Sequence, residues 1–232
     1  HAAKATPLTL PMNVQLITKQ GEQGELPLSI PAERIGDQVT AAGIPFAIAK
    51  VGKNALRLAG QTLTLKKDTR RLALLLSADS NRILDFTVGG KTVPCSVLSR
   101  TRRFASWDLY DLHETAHIQE GQLGYVSTHS HNADGTDAIA KELYFYILIL
   151  NVQGGDTVVL PRDEETLVLA ATELNTVAVP CATPLYDRVE DRPFDYTMRL
   201  GDKLRYLRMK LPWYMGDKGR YFSCYNRGRE RE

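Results

Sequence analysis

Two histidines and an aspartate are the side chains in this 232-residue sequence best suited to binding or catalysis. His129 and His131 are separated by one residue, and Asp134 follows three residues later. Side chains two residues apart on a β-strand point to the same face, so a strand would place both imidazoles side by side. With the carboxylate they could hold a divalent metal, and a metal with an open coordination position could activate water. They could instead contact a sugar directly, or form hydrogen bonds with loops at a strand end.

A second group combines aromatic rings with a carboxylate. Trp107 and Asp108 are adjacent, and Tyr125 has the same potential. Sugar sites often pair an aromatic face, which packs on C–H groups, with carboxylates that accept hydrogen bonds from hydroxyls. Trp107 could equally fill one end of a β-sandwich. The predicted ligand-binding residues are therefore Trp107, Asp108, Tyr125, His129, His131 and Asp134. No catalytic residue is assigned, because sequence alone does not supply the separation of two carboxylates that glycoside hydrolysis needs.

Thr101 to Gly121, which carries Trp107 and Asp108, is predicted to loop over one end of a sandwich, and the elements around it are predicted to be strands. Arg71 to Ser77 is a nearly continuous apolar run, as expected for a central strand covered on both faces. Ile83 to Val88 alternates, and Gly89-Gly90 predicts a tight turn back into Val93 to Leu98. The apolar run from Leu143 to Leu150 is rich in aromatic and β-branched residues, which favours a buried strand over a helix.

Short strands separated by turn signals predict an all-β fold, an antiparallel β-sandwich or jelly roll. Residues 1–25 are expected to form an N-terminal lead and residues 26–179 the sandwich. Leu26 to Pro31 is interrupted by proline and is expected to be an edge strand. Residues 180–232 are predicted to form a basic, helical C-terminal extension packed on the sandwich. Its leucines recur at helical spacing, at Leu200, Leu204, Leu207 and Leu211.

Composition limits the possible partners. The net charge of +2 argues against nucleic acid as a partner of the whole chain, and no apolar run is long enough for a membrane-spanning helix. Cys95, Cys181 and Cys224 are widely spaced and odd in number, so they indicate neither a metal motif nor a disulfide scaffold. The start, His1 to Ala5, is either an expression remnant or the end of a cleaved export signal, and a secreted or periplasmic location is expected.

The order and spacing of several motifs resemble a known family. They are Asn54 to Leu65, Leu72 to Ala78, Asp85 to Gly90, Trp107-Asp108, Thr128 to Gly135 and Leu160 to Thr172. Together they resemble the β-sandwich region of bacterial α-mannosidases of glycoside hydrolase family 38, over roughly Pro27 to Thr172. Residues 180–232 have no counterpart in that resemblance.

The resemblance implies an accessory sandwich, similar to galactose-binding-like modules, with a role in glycan processing. In that family a separate α/β domain carries a zinc ion and a nucleophilic aspartate, and this chain has no room for it. The expected function is a non-catalytic module that binds glycan, mannose-type or related, or packs on a glycosidase catalytic domain. The alternative is a stand-alone glycoside hydrolase with a metal- or carboxylate-based site near His129, His131 and Asp134. A divalent metal is the one cofactor that the residues suggest.

Overall fold

A computed structural model describes residues 4–103, 105–110, 113–118 and 121–176, with 105–110 and 113–118 described as backbone. This part of the chain contains strands, turns and bends but no helix, which confirms the predicted all-β class. Its strands are numbered β1 to β18 in chain order. The largest sheet contains β1 (Ala5–Leu8), β6 (Leu56–Ala59), β8 (Arg71–Ser77), β13 (Gln122–Val126), β16 (Tyr144–Asn151) and β18 (Arg162–Leu174). The strand order is β1-β18-β8-β16-β13, and β6 also pairs with β18.

Two four-stranded sheets and two hairpins complete the described fold. The second sheet, in the order β10-β9-β17-β7, contains β7 (Thr62–Thr64), β9 (Arg82–Val88), β10 (Lys91–Val97) and β17 (Thr157–Val159). The third sheet, in the order β15-β14-β3-β2, contains β2 (Ile17–Thr18), β3 (Leu28–Pro31), β14 (Ser130–Asn132) and β15 (Asp137–Ala138). The hairpins are β4 (Gln38–Ala41) with β5 (Ile44–Ala47), and β11 (Ala105–Tyr110) with β12 (His113–Ile118). Among the described strand pairs, β2 with β3 is parallel and the others are antiparallel.

The central strand β8 divides the core into two parts. Its Leu72, Leu74 and Leu76 pack in a first core against the second sheet, with Phe86. Its Ala73 and Leu75 join a second core on the opposite face, which the third sheet and the β4–β5 hairpin cover. Because successive side chains of a strand point to opposite faces, a strand buried on both faces must be apolar throughout. This arrangement confirms the interpretation of Arg71 to Ser77 as a central strand covered on both sides.

The glycine turn also forms as predicted. β9 and β10 pair in register from Val88 and Lys91 to Arg82 and Val97. Gly89 and Gly90 connect them with φ angles of 53° and 80°, in the left-handed region that glycine adopts without steric cost. Cys95 lies on β10, is buried and is a free thiol, and burial raises its pKa.

The sandwich begins earlier than residue 26, where the sequence placed it. Strand β1 pairs with β18 from Ala5 and Leu174 to Leu8 and Ala171. Downstream of β1, Leu16 is fully buried in the second core. Residues 4–25 therefore contribute two strands to the sheets and several side chains to the core. The sequence did not show this, because β1 and β2 are too short to show a strand period and prolines and glycines interrupt this stretch.

The prediction that Leu26 to Pro31 forms an edge strand was wrong. Strand β3 lies between β14 and β2 inside the third sheet. Its proline, Pro31, is the last residue of the strand and pairs with Thr18 in the parallel ladder. A missing N–H at a strand end removes little of the ladder, so the proline did not require an edge position.

The predicted helical extension over residues 180–232 lies outside the described residues, as do Cys181 and Cys224. Where the structure describes the chain, it shows no helix with the length and apolar character needed to cross a membrane.

Candidate functional site

Strand β14 carries the candidate site, and its two neighbours determine what surrounds it. In the ladder, His131 lies opposite Ser29 of β3 on one side and opposite Asp137 of β15 on the other. The turn between β14 and β15 closes with hydrogen bonds from the Asn132 amide to the Thr136 carbonyl and from the Gly135 amide to the Asn132 carbonyl. Gly135 has a φ of 83°, which favours glycine.

His131 is completely buried, and its two ring nitrogens have different surroundings. Its Nδ1 is 3.0 Å from the Thr18 hydroxyl, which in turn is 2.6 Å from the Ser29 hydroxyl. Its Nε2 is 3.3 Å from a Glu33 carboxylate oxygen and 3.5 Å from an Asp137 carboxylate oxygen. Neither contact has hydrogen-bond geometry, so Nε2 is a buried polar atom without a hydrogen-bond partner. Such atoms are rare in folded proteins.

His129 lies just before β14, and its ring lies beside that of His131. The two imidazole centroids are 5.6 Å apart, with the ring planes inclined by 60°. His129 Nδ1 is 3.0 Å from the hydroxyl of Thr128, and its Nε2 is 3.9 Å from the Asp137 carboxylate. Its side chain is 16% exposed, so the site is open to solvent on this side. The structure therefore brings the two predicted histidines together.

Asp134 is not part of this group, although the sequence placed it there. One of its carboxylate oxygens accepts hydrogen bonds from the Thr136 amide at 3.0 Å and the Thr136 hydroxyl at 2.6 Å. These hydrogen bonds lower the pKa of Asp134. Asp134 is exposed and stabilises the turn, and Asp137 takes the position beside the histidines.

Glu33 is the residue that the sequence did not indicate. It follows β3 in a turn that the Arg34 amide closes onto the Pro31 carbonyl. No local pattern marks it, because it lies about a hundred residues from the histidines and reaches them through the pairing of β3 with β14. The potential ligand atoms of Glu33, His129 and His131 all lie within 4.8 Å of one another. We call these three residues with Asp137 the His131 cluster.

The remaining predicted residues lie on other strands. Trp107 and Asp108 are on β11 and not in the predicted loop: their backbones pair with Ala116 and Thr115, and their side chains lie outside the described part of the structure. Tyr125 lies on β13 and packs partly against the second core. Burial raises the pKa of its phenol to about 12. Their predicted role in sugar binding stays a prediction.

Comparison with known families supports the sandwich directly. Residues 4–177 match the family model described as AziU2-like beta-sandwich domain. The chain belongs to this AziU2-like family. The match begins at residue 4, in agreement with the position of β1 in the largest sheet, and it confirms the predicted β-sandwich. A comparison of the AziU2-like chain with curated proteins finds no match.

Proposed function

We propose that this AziU2-like sandwich is a non-catalytic binding module of glycan processing, which binds a mannose-type or related glycan. The observation that carries the proposal is the His131 cluster, where two imidazoles and two carboxylates meet beside β14 of the third sheet and His129, Glu33 and Asp137 are partly exposed. Carboxylates accept hydrogen bonds from sugar hydroxyls, and imidazoles can donate or accept them. The resemblance to the accessory region of family 38 α-mannosidases supports the choice of glycan.

The cluster is better suited to binding than to glycoside hydrolysis. A hydrolase needs an acid and a nucleophile or base on opposite sides of the scissile bond, about 5–10 Å apart. Glu33 and Asp137 instead approach the same nitrogen, His131 Nε2, to within 3.3 and 3.5 Å. Both carboxylates therefore converge on one buried imidazole, as acceptors that the hydroxyls of a sugar could approach together. Packing on a glycosidase catalytic domain is the other form that the module's role could take.

Glycan binding is tested on the full chain with mannose-type oligosaccharides, by glycan array and then calorimetry. His129→Ala is expected to weaken binding about tenfold, the equivalent of one hydrogen bond to the ligand. Asp134→Asn is the matched control, since it alters a carboxylate in the same turn that lies outside the cluster. Absence of glycan binding by the unaltered chain would contradict the proposal. If Trp107→Ala abolished glycan binding and His129→Ala did not, the sugar would bind at the β11–β12 hairpin and not at the His131 cluster.

A stand-alone glycoside hydrolase is the second candidate, and the two neighbouring carboxylates of the His131 cluster favour it over other enzyme classes. Aryl-glycosides of several sugars test this function, with Glu33→Gln as the variant. Turnover that Glu33→Gln abolishes would support the hydrolase. Absence of turnover on every sugar would exclude it and leave the binding module.

A further inference from the structure

The unpartnered nitrogen of His131 lies where two negative charges converge. If Nδ1 donates its proton to the Thr18 hydroxyl at 3.0 Å, Nε2 presents a lone pair to the Glu33 and Asp137 carboxylates. The lone pair and the two carboxylates repel one another, and because His131 is buried, water cannot screen its lone pair well. A cation between them would be attracted by the lone pair and by both carboxylates. The geometry around Nε2 is thus that of a site completed by a positive ion.

The ligand atoms are close to the spacing that a metal imposes. Zinc binds histidine nitrogen and carboxylate oxygen at about 2.0 Å in a tetrahedron, so two ligand atoms lie about 3.3 Å apart. The atoms of Glu33, His129 and His131 lie within 4.8 Å of one another, and Glu33 Oε1 is already 3.3 Å from His131 Nε2. Glu33 is 42% exposed, so its side chain has room to adjust to a bound metal.

The other nitrogen of His131 is held in the way that metal-binding histidines require. Such histidines use their second ring nitrogen in a hydrogen bond that fixes the ring and the tautomer. Here the Thr18 hydroxyl holds Nδ1, and the Ser29 hydroxyl holds Thr18 at 2.6 Å. Thr18, Ser29 and His131 are all buried, on three adjacent strands, so the ring cannot easily turn away.

We infer that the His131 cluster is a binding site for a divalent transition metal of the zinc class, with His129 Nε2, His131 Nε2 and a Glu33 carboxylate oxygen as ligands. Asp137 is the neighbouring carboxylate, 3.5 Å from His131 Nε2 and 3.9 Å from His129 Nε2. Two imidazoles select zinc and its neighbours over calcium and magnesium, which prefer oxygen ligands alone. The metal would join the turn after β3 to the β14–β15 hairpin. This inference goes beyond the proposed function and needs no glycan for its test.

The test titrates the full chain, stripped with EDTA, with Zn²⁺ in competition with a chromogenic chelator, and then with Co²⁺ for its visible absorption. One zinc per chain is expected. His129→Gln and Glu33→Gln should each weaken binding by at least about a hundredfold, because loss of an outer partner of a ligand already costs about 10–100-fold. Both residues are partly exposed, so the variants should fold, which thermal unfolding without metal checks. Asp134→Asn should bind zinc like the unaltered chain.

Two outcomes would overturn the inference. One is the absence of stoichiometric zinc on the unaltered chain. The other is unaltered affinity in His129→Gln or in Glu33→Gln, which would locate the metal on other residues. The glycan experiment is repeated with and without zinc. Zinc binding without glycan binding would leave this inference intact and contradict only the proposed function.

Discussion

His131 shows how a single buried side chain can be polar without being fully satisfied. The fold provides a partner for Nδ1 in Thr18 and places acids around Nε2 without forming a hydrogen bond there. A chain selected for stability alone would be expected to replace such a residue with an apolar one, since an unpaired buried polar group costs about 1–3 kcal/mol. Its presence therefore favours a ligand, which is why the binding experiments are centred on this residue.

The burial of Tyr125 predicts how the free energy of unfolding changes at alkaline pH. Its phenol has a folded-state pKa of about 12, against an ordinary value of 10.0, because burial disfavours the charged form. The neutral phenol thus contributes stability that is fully present below pH 10 and is lost as the pH rises from about 10 to about 12. Tyr125→Phe should lose less free energy of unfolding than the unaltered chain between about pH 9 and about pH 11. Urea unfolding at the two pH values measures the difference.

Tyr144→Phe provides the comparison for Tyr125. Burial raises the pKa of Tyr144 as well, but that residue is less deeply placed, and its effect on the pH dependence should be smaller. An identical pH dependence in Tyr125→Phe and in the unaltered chain would show that the phenol is not buried as described.

At the residue scale, the sequence predicted that the two histidines lie together, but it placed Asp134 beside them where the structure has Asp137. Strand alternation alone places His129 and His131 on one face. Asp134 is nearer in sequence, yet Asp134-Gly135 is itself a turn signal. Recognition of that turn would have placed Asp137 opposite His131, as the register shows. Glu33 could not have been found this way, because its approach depends on long-range strand pairing.

At the scale of elements, Asn54 attaches the short strand β2 to the fold. Its Oδ1 accepts hydrogen bonds from the Leu16 and Ile17 amides at 2.8 and 2.9 Å, and its Nδ2 donates to the Ile17 carbonyl at 2.8 Å. Asn54 is fully buried, so no water can replace it. Asn54→Ala should lower the free energy of unfolding by about 3 kcal/mol or more, since each buried group left unpaired costs about 1–3 kcal/mol. Urea unfolding measures this loss.

The control for Asn54 is Asn13, which makes the same kind of bonds at the surface. It donates to the Arg57 carbonyl at 3.0 Å and accepts from the Arg57 amide at 2.7 Å, but it is exposed. Water can replace these bonds, so Asn13→Ala should cost less than about 1 kcal/mol. Equal losses in the two variants would mean that burial does not determine the cost.

The elements that could be predicted are those whose pattern is local. The apolar run of β8 and the Gly89-Gly90 turn depend on residues adjacent in sequence, and both were predicted correctly. Strands β2 and β15 have two residues each, too few for a period to show. Their positions depend on partners: Asn54 and β3 for β2, and β14 for β15.

At the scale of the molecule, the position of β1 predicts that the first residues contribute to stability. Leu8 packs against the first core and Ala5 against the second, and β1 extends the ladder of β18. Deletion of residues 1–9 should cost about 2 kcal/mol, near the value for burying one large apolar side chain. For a domain of this size each kcal/mol lowers Tm by about 2–4 °C, which calorimetry would detect.

Deletion of residues 1–3 is the matched control and should leave Tm unchanged, because these residues precede β1. If both deletions leave Tm unchanged, the first 25 residues would behave as the separate lead that the sequence predicted, and the role assigned to β1 would be wrong.

The position of β8 between β16 and β18 has a consequence for the newly made chain. β8 ends at Ser77, but its two neighbours begin only at Tyr144 and Arg162. Ribosomes add about 5–20 residues per second, so the apolar strand waits for several seconds without either partner. An unpaired apolar strand is a template for aggregation. Production of this protein should therefore depend on the speed of translation and on chaperones that shield β8 until the last strand emerges.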